Sequence, residues 1–302
     1  MRHLSIYRNV DVVSKVGSIR QAAELLAITP SALNRQILGL EEELGVPIFE
    51  RLARGVRLST AGELLIHHIR NQLSDLDRVQ SHIADLSGVR RGHVSIACSQ
   101  ALLPYFLPQQ IEVYRKEHPG VTFSVSVRDR EAAEQALRDY AVDVAIIFEP
   151  VHLADCQTLL IAKQTIHAIM SKKHPLARRK TVKLEQCVDY PLALPSLPYG
   201  VRALMEQAAT KKNLTLDTAI QSDSFEFLRH VVADNENIAF QIEIGLPRHS
   251  AAAAVVSRPV SEQDLPAGRL HLTQLRGRSL PVAAARFADQ LQTSFTENFE
   301  CV

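Results

Sequence analysis

The stretch from Gly17 to Gly62 constrains this chain most. It reads as a helix, a tight turn, a second helix with a polar outer face, and a short hairpin with three arginines and no acid at its tip. Ser18 can cap the first helix, with Gln21 at capping-box spacing ahead of the apolar run Ala22, Ala23, Leu25, Leu26. Thr29 and Pro30 open the second, because threonine caps well and proline at the first helical position gives up an N–H that has no partner there. The turn between the helices is therefore short, and Gly45 ends the second helix.

Within the second helix, Leu33, Ile37, Leu40 and Leu44 recur at helical spacing and are expected to face inward, leaving Ser31, Asn34, Arg35 and Leu38 on the opposite stripe with Gln36 beside it. Amide and guanidinium groups suit base edges, Asn pairing with adenine and Arg with guanine, and a helix fits the major groove. Ile48 to Arg51 and Val56 to Leu58 are short strands around Ala53, Arg54 and Gly55, which places Arg51, Arg54 and Arg57 on one ribbon suited to phosphates or a minor groove. This is the order of a winged helix-turn-helix. Double-stranded DNA, as a promoter operator, is the expected partner of Ser31, Asn34, Arg35, Gln36, Arg51, Arg54 and Arg57.

At this point the chain resembles the LysR-type transcriptional regulators. The resemblance rests on Gly17-Ser18-Ile19-Arg20-Gln21-Ala22-Ala23-Glu24-Leu25-Leu26, on Thr29-Pro30-Ser31-Ala32-Leu33-Asn34-Arg35-Gln36-Ile37, on Leu40 to Arg51, and on Arg57-Leu58-Ser59-Thr60-Ala61-Gly62. Family members commonly carry Ser where this chain has Asn34.

After the ribbon, Leu65, Ile69, Gln72, Leu76, Val79, Ile83 and Leu86 repeat in alternating steps of four and three, a heptad seam that implies helix pairing. A dimer would present two recognition helices to two half-sites, and in the family a linker helix has this role. Ser87 to Gly92 breaks the pattern and marks a boundary. The expected domains are 1–59, 60–88 and 89–302, the last with one lobe at about 93–163 and 268–302 and a second at about 164–267.

The third part alternates strands and helices. Val94 to Cys98, Val121 to Val127 and Val142 to Phe148 read as strands around helices at Leu102 to Glu117 and Glu131 to Tyr140. Further strands are expected at Thr165 to Met170, Pro191 to Leu194, Thr218 to Gln221, Ile238 to Gln241 and Val255 to Arg258, with helices near Gly200 to Lys212 and Ser224 to Asp234. Apolar strands separated by helices imply a doubly wound parallel sheet, so the fold class is α/β. The resemblance implies that this part is two lobes like those of periplasmic binding proteins, with an effector in the cleft.

Ligands of such sheets bind outside the carboxyl ends of strands. That rule selects Ser99, Gln100, Ala101, Phe148, Tyr199, Arg202, Ser222, Ser224, Phe225 and Gln241. Hydroxyls, helix N-termini and a guanidinium together suit a small organic carboxylate, while Phe148, Tyr199 and Phe225 could hold an apolar body.

Composition excludes little: 302 residues, 46% hydrophobic content and a net charge of +1 fit a multidomain globular chain whose basic groups cluster locally. No signal peptide and no membrane-spanning run is read, so a cytoplasmic protein without a membrane partner is expected. Cys98, Cys156, Cys187 and Cys301 form no CxxC pair, and neither a metal site nor any cofactor is expected. No GxSxG, GxxxxGK[ST], GxGxxG or HExxH occurs, so an enzyme is not expected. The reading is therefore an effector-modulated transcriptional regulator, a homodimer or homotetramer with RNA polymerase as a further partner. Two alternatives stay open: a winged-helix protein-interaction module without specific DNA binding, and a thiol-based redox-sensing regulator.

Overall fold

The computed structural model describes residues 2–86, 91–234, 236–247 and 254–301, and the chain divides into two compact units. One comprises Met1–Leu86 with Arg278–Pro281, the other Ser87–Gly277 with Val282–Val302. The side chain of seam position Leu86, and the boundary residues 87–90, lie outside the described residues.

In the first unit, α1 (Arg2–Val16), α2 (Ile19–Leu25) and α3 (Pro30–Leu44) precede strands β1 (Phe49–Arg51) and β2 (Val56–Leu58) and the long helix α4 (Thr60–Leu86). The caps form where the sequence places them. Ser18 Oγ accepts from Gln21 N, Thr29 Oγ1 accepts from Ala32 N at 3.2 Å, and Gly45 closes α3 with a left-handed φ of 71°. Gly55 turns the hairpin at φ +91°, and a Cβ there would lie 2.3 Å from the Gly17 carbonyl oxygen, which already accepts from Val56 N at 2.8 Å. The core joins Val10 and Val13 of α1 to Ala22, Ala23, Leu33, Ile37, Ile48, Ile66 and Ile69.

Three expectations change here. Helix α1 was not read from the sequence, because it offers no capping signal before a mixed polar pattern. Leu44 is 45% exposed rather than inward, since it lies in the last helical turn beyond the core, and Leu25 is exposed too. The α4 seam divides: Leu65 and Ile69 pack on the domain's own core, whereas Val79 and Ile83 stand 46% and 58% exposed.

The second unit holds two five-stranded sheets. The first takes β3 (Arg91–Cys98), β4 (Gly120–Val127), β5 (Val144–Phe148), β6 (Cys156–Gln164) and a late strand, Gly268–Leu275, with α5 (Phe106–Glu117) and α6 (Arg130–Arg138) between its early strands. The second sheet takes β7 (Ile166–Ser171), β8 (Leu192–Pro195), β9 (Thr218–Ser222), β10 (Ile238–Ile242) and β11 (Val255–Pro259). Its helices are α7 (Leu184–Cys187), α8 (Gly200–Lys211) and α9 (Phe225–Val231). The late strand is β12 and is followed by α10 (Val282–Asn298). Strand orders are β4-β3-β5-β12-β6 and β11-β7-β10-β8-β9.

The sheets are mixed rather than wholly parallel. β3 pairs parallel with β4 and β5, but β12 runs antiparallel to β5 and β6, and β7 runs antiparallel to β10 and β11. Neither β6, β12 nor α10 was read from the sequence as an element. Gln157, Thr158 and Lys163 leave β6 only the short apolar run Leu159 to Ala162, and buried His271 and Thr273 interrupt that of β12. The helix expected from Leu102 begins only at Phe106, after a 3-10 turn at Gln100–Leu102, because a later start puts Pro108 in the first helical turn, where its missing N–H is tolerated.

Candidate nucleic-acid interface and ligand cleft

On α3 the exposed stripe carries Ser31 and Arg35, with Asn34 half-buried beside them. Arg35 and, on the hairpin, Arg54 are exposed, and neither is in an ion pair among the described residues. The remaining predicted residues are tied down. Arg51 Nη2 donates to Asn34 Oδ1 at 3.3 Å, which joins the hairpin to the outer face of α3. Arg57 sits opposite Glu50 in the ladder and bonds its carboxylate at 2.7 Å, so its charge is locally offset by an acid just outside the arginine tip. Gln36 accepts from Asn9 Nδ2 at 2.6 Å, which commits its amide oxygen to α1. Arg35, Arg51 and Arg54 thus have no acid partner among the described residues, and of these Arg51 is held against α3 by Asn34.

Beneath this face, α4 is fastened to α1 by Arg70 Nε donating to Asp11 Oδ1 at 2.9 Å, with both side chains nearly buried. Asp11 also holds Lys15 at 2.6 Å.

The cleft of the second unit lies where the carboxyl ends of β3, β4 and β5 meet the loops that follow strands of the other sheet. It is lined by Ser99, Ala101, Phe148, Tyr199, Phe225 and Gln241 from the predicted set, and also by Arg128, Asp129, Arg130 and Gly200. Its volume is about 10 Å³, close to the minimum for one water molecule. Two side chains hold it shut. Gln100 Nε2 donates to the Asp223 carbonyl and to Tyr199 Oη at 3.3 Å, while its Oε1 accepts from Phe225 N at 3.2 Å. Arg130 donates to the Glu149 and Pro198 carbonyls, each at 2.9 Å. Gly200 permits the approach, since a Cβ there would meet the Phe148 carbonyl oxygen at 2.7 Å.

Arg202, Ser222 and Ser224 are not among the residues lining this space. Arg202 is committed to Glu206 at 2.6 Å and to Thr218 at 3.3 Å. Ser222 Oγ accepts from Ser224 N at 3.0 Å, and Ser224 Oγ caps α9 by accepting from Phe227 N at 3.2 Å. Ser99 caps its own 3-10 turn by accepting from Ala101 N. Gln241 Oε1 accepts from Ile242 N at 2.9 Å.

The cleft's electrostatics come from residues the sequence did not single out. Arg128 is exposed and lines the cleft, and no hydrogen bond of its guanidinium occurs among the described residues. Asp129 caps α6 by accepting from Ala132 N at 2.9 Å, which occupies that helix end with the protein's own carboxylate. The N-terminus of α8 carries no side-chain cap, since Tyr199 makes no such bond. An anion therefore finds one unpaired guanidinium and one open helix N-terminus here. Position after a strand end was the available signal for Arg128, and it applies equally to its neighbours.

Cys98, Cys156 and Cys187 are buried, and burial pushes the Cys98 and Cys187 thiols up to about 12. Thiolate chemistry is suppressed at such sites. Among the described residues no helix is long and apolar enough to cross a membrane, and no cluster of His, Cys, Asp or Glu could hold a metal ion.

Comparison with known proteins gives two family matches: "Bacterial regulatory helix-turn-helix protein, lysR family" over residues 4–63 and "LysR substrate binding domain" over residues 87–296. Among curated relatives, the HTH-type transcriptional activator CmpR of Synechocystis sp. is 25% identical over 283 residues, covering 92% of this chain and 91% of its own. Among solved structures, a variant of full-length OxyR from Pseudomonas aeruginosa superposes with a TM-score of 0.73 at 22% identity, covering 96% of this chain and 94% of that one. The effector binding domain of QuiR in complex with shikimate covers 70% of this chain and 100% of that one, at 18% identity and a TM-score of 0.60.

Proposed function

Since the chain belongs to the LysR family and is a DNA-binding transcriptional regulator with a helix-turn-helix and an effector-binding domain, we propose how it reads DNA and what it senses. Ser31, Asn34 and Arg35 enter the major groove of an operator half-site, and Arg51 and Arg54 lie on the flanking phosphates. Arg57 contributes less because Glu50 offsets it. Two chains pair through the outer half of α4, at Leu76, Val79 and Ile83, and so address two half-sites; a second contact between dimers gives the tetramer. Exposure of Val79 and Ile83 on one helix supports this pairing. Replacing both, Val79→Glu with Ile83→Glu, leaves monomers in sedimentation, and a dimer that survives the pair of changes places the interface elsewhere. The regulator works with RNA polymerase at its promoters, in the cytoplasm.

The effector is a small organic carboxylate. The single observation that carries this is the unpaired Arg128 guanidinium beside the uncapped α8 N-terminus. A body packed against Phe148, Tyr199 and Phe225 follows from the lining. Space of about 10 Å³ admits no such ligand, so binding must release the Gln100 and Arg130 latches, and effector affinity is coupled to an opening of the lobes. We expect one among a set of aliphatic and aromatic monocarboxylates to shift the affinity for operator DNA, and Arg128→Ala to lose that shift. Arg202→Ala, which removes a guanidinium already satisfied by Glu206, should retain it. The opposite pattern would overturn the assignment. A thiol switch finds no support in Cys98, Cys156 and Cys187, which are buried; Cys301 alone of the four is partly exposed.

A further inference from the structure

The cleft is not the roomiest part of the second unit. A cavity of about 660 Å³ lies elsewhere in that unit, between the start of α5, the end of α10 and the second sheet. Its walls include Tyr105, Phe106 and Phe299 on one side and His167, Glu243 and Ser257 on the other. Small-molecule sites commonly span about 300–1,000 Å³, a range the cleft falls far below and this cavity meets.

We propose that this cavity is a second small-molecule site and that it takes a protonated aromatic amine. The aromatic wall is fixed before any ligand arrives. Phe106 stacks on Phe295 with ring centroids 4.8 Å apart, and Phe299 meets Phe106 edge-on at 6.5 Å. Such a wall favours a flat apolar body, and the ring faces favour a cation.

Charge selects the rest. Among the described residues, Glu243 is the sole formally charged side chain in the lining. It is exposed and makes no ion pair among the described residues. His167 adds no opposing charge, because burial holds its pKa down at about 4 and the ring is neutral near pH 7. Among the described residues, no lysine or arginine lines the space. Among the described lining residues, an anion would meet a carboxylate and no cation, whereas an ammonium group would meet a carboxylate that makes no ion pair. Ser257 and the amides of Gln109 and Asn298 supply neutral hydrogen-bonding groups around it. This charge pattern is the opposite of that at the cleft, so the two sites select different ligands.

Tryptamine, indole and indole-3-acetate share one ring system and differ in charge, and they serve as probes of the full-length chain in isothermal titration. The expected result is that tryptamine binds once per chain, more tightly than indole, and that indole-3-acetate does not compete with it. Glu243→Gln, at an exposed position, should weaken tryptamine about three- to fivefold, the range of a partly exposed ion pair, and leave indole unchanged. Ser257→Trp should fill the cavity and remove tryptamine and indole binding together, while Arg128→Ala should alter neither. A thermal melt of each variant distinguishes lost binding from lost folding. Binding of tryptamine that neither Glu243→Gln nor Ser257→Trp affects would overturn the proposal. So would equal competition by indole-3-acetate, no heat at millimolar tryptamine, or chain association that buries the cavity and excludes the probe.

Discussion

Arg128 and Arg202 carry the same group within one domain, and their neighbours separate them. Arg202 is an i,i+4 partner of Glu206 and also bonds Thr218, so its charge is already paired within its own helix. Arg128 follows the end of β4 with nothing engaging its guanidinium among the described residues. Gln36 and Asn34 differ in a similar way: one is drawn inward by Asn9 and the other is left at the surface, sharing its oxygen with Arg51. At this scale His167 makes a measurable prediction. Its folded pKa of about 4 lies below the ordinary 6.5, so between those values the unfolded chain binds more protons than the folded one. Stability is then fully present above about pH 6.5 and declines as pH falls toward 4, by on the order of 1 kcal/mol once partial exposure is allowed for. Burial depresses His174 and His271 in the same direction. Thermal melts at pH 7.5 and 5.0 should show a smaller pH-induced drop for His167→Gln than for the parent chain. An unchanged drop would mean that this imidazole is not held neutral.

Among the elements, α4 shows why a sequence period and a buried face are different things. Its heptad seam runs the full length of the helix in the sequence, yet an α-helix of 3.6 residues per turn drifts against a 3.5-residue repeat, and the burial divides accordingly. Leu65 and Ile69 belong to the winged domain, and the outer positions remain for a partner. The Asp11–Arg70 pair is what fastens the inner half. Removing Asp11 takes away the carboxylate that nearly buried Arg70 Nε bonds, so Asp11→Ala should cost about 3 kcal/mol, seen as a lowered melting transition of the DNA-binding unit. The double change Asp11→Leu with Arg70→Met should recover most of that loss, because replacing a buried pair by apolar groups is far cheaper than orphaning one charge. A double variant as unstable as the single would refute this account of the contact. Helices α2 and α3 were legible because their signals are local: Ser18, Thr29 and Gly45 each act within three residues of their own position. Helix α1 has no such marker, and β6 and β12 carry buried polar groups that only their ladder neighbours explain.

For the molecule as a whole, most elements between α2 and β11 were readable in order, but α1, β6, α7, β12 and α10 were not, and neither were the mixed sheets. Antiparallel β6, β7, β11 and β12 arise where the chain passes between the two sheets, and sequence alternation does not encode strand direction. Cleft positions followed from the rule that ligands sit beyond strand ends, which placed six of the ten proposed residues on its lining. The same rule could not foresee that Gln100 and Arg130 would latch the space shut, since both act through carbonyl groups distant in sequence.

The most direct test of the account is fluorescence anisotropy of the full-length chain against its own upstream intergenic DNA and a scrambled duplex, at two salt concentrations. Binding to the intergenic DNA should be about a thousandfold tighter than to the scrambled duplex and should weaken steeply with salt. Arg54→Ala should reduce the salt slope by about one. Equal, salt-insensitive affinity for both duplexes would contradict the DNA-reading face built on α3 and the hairpin.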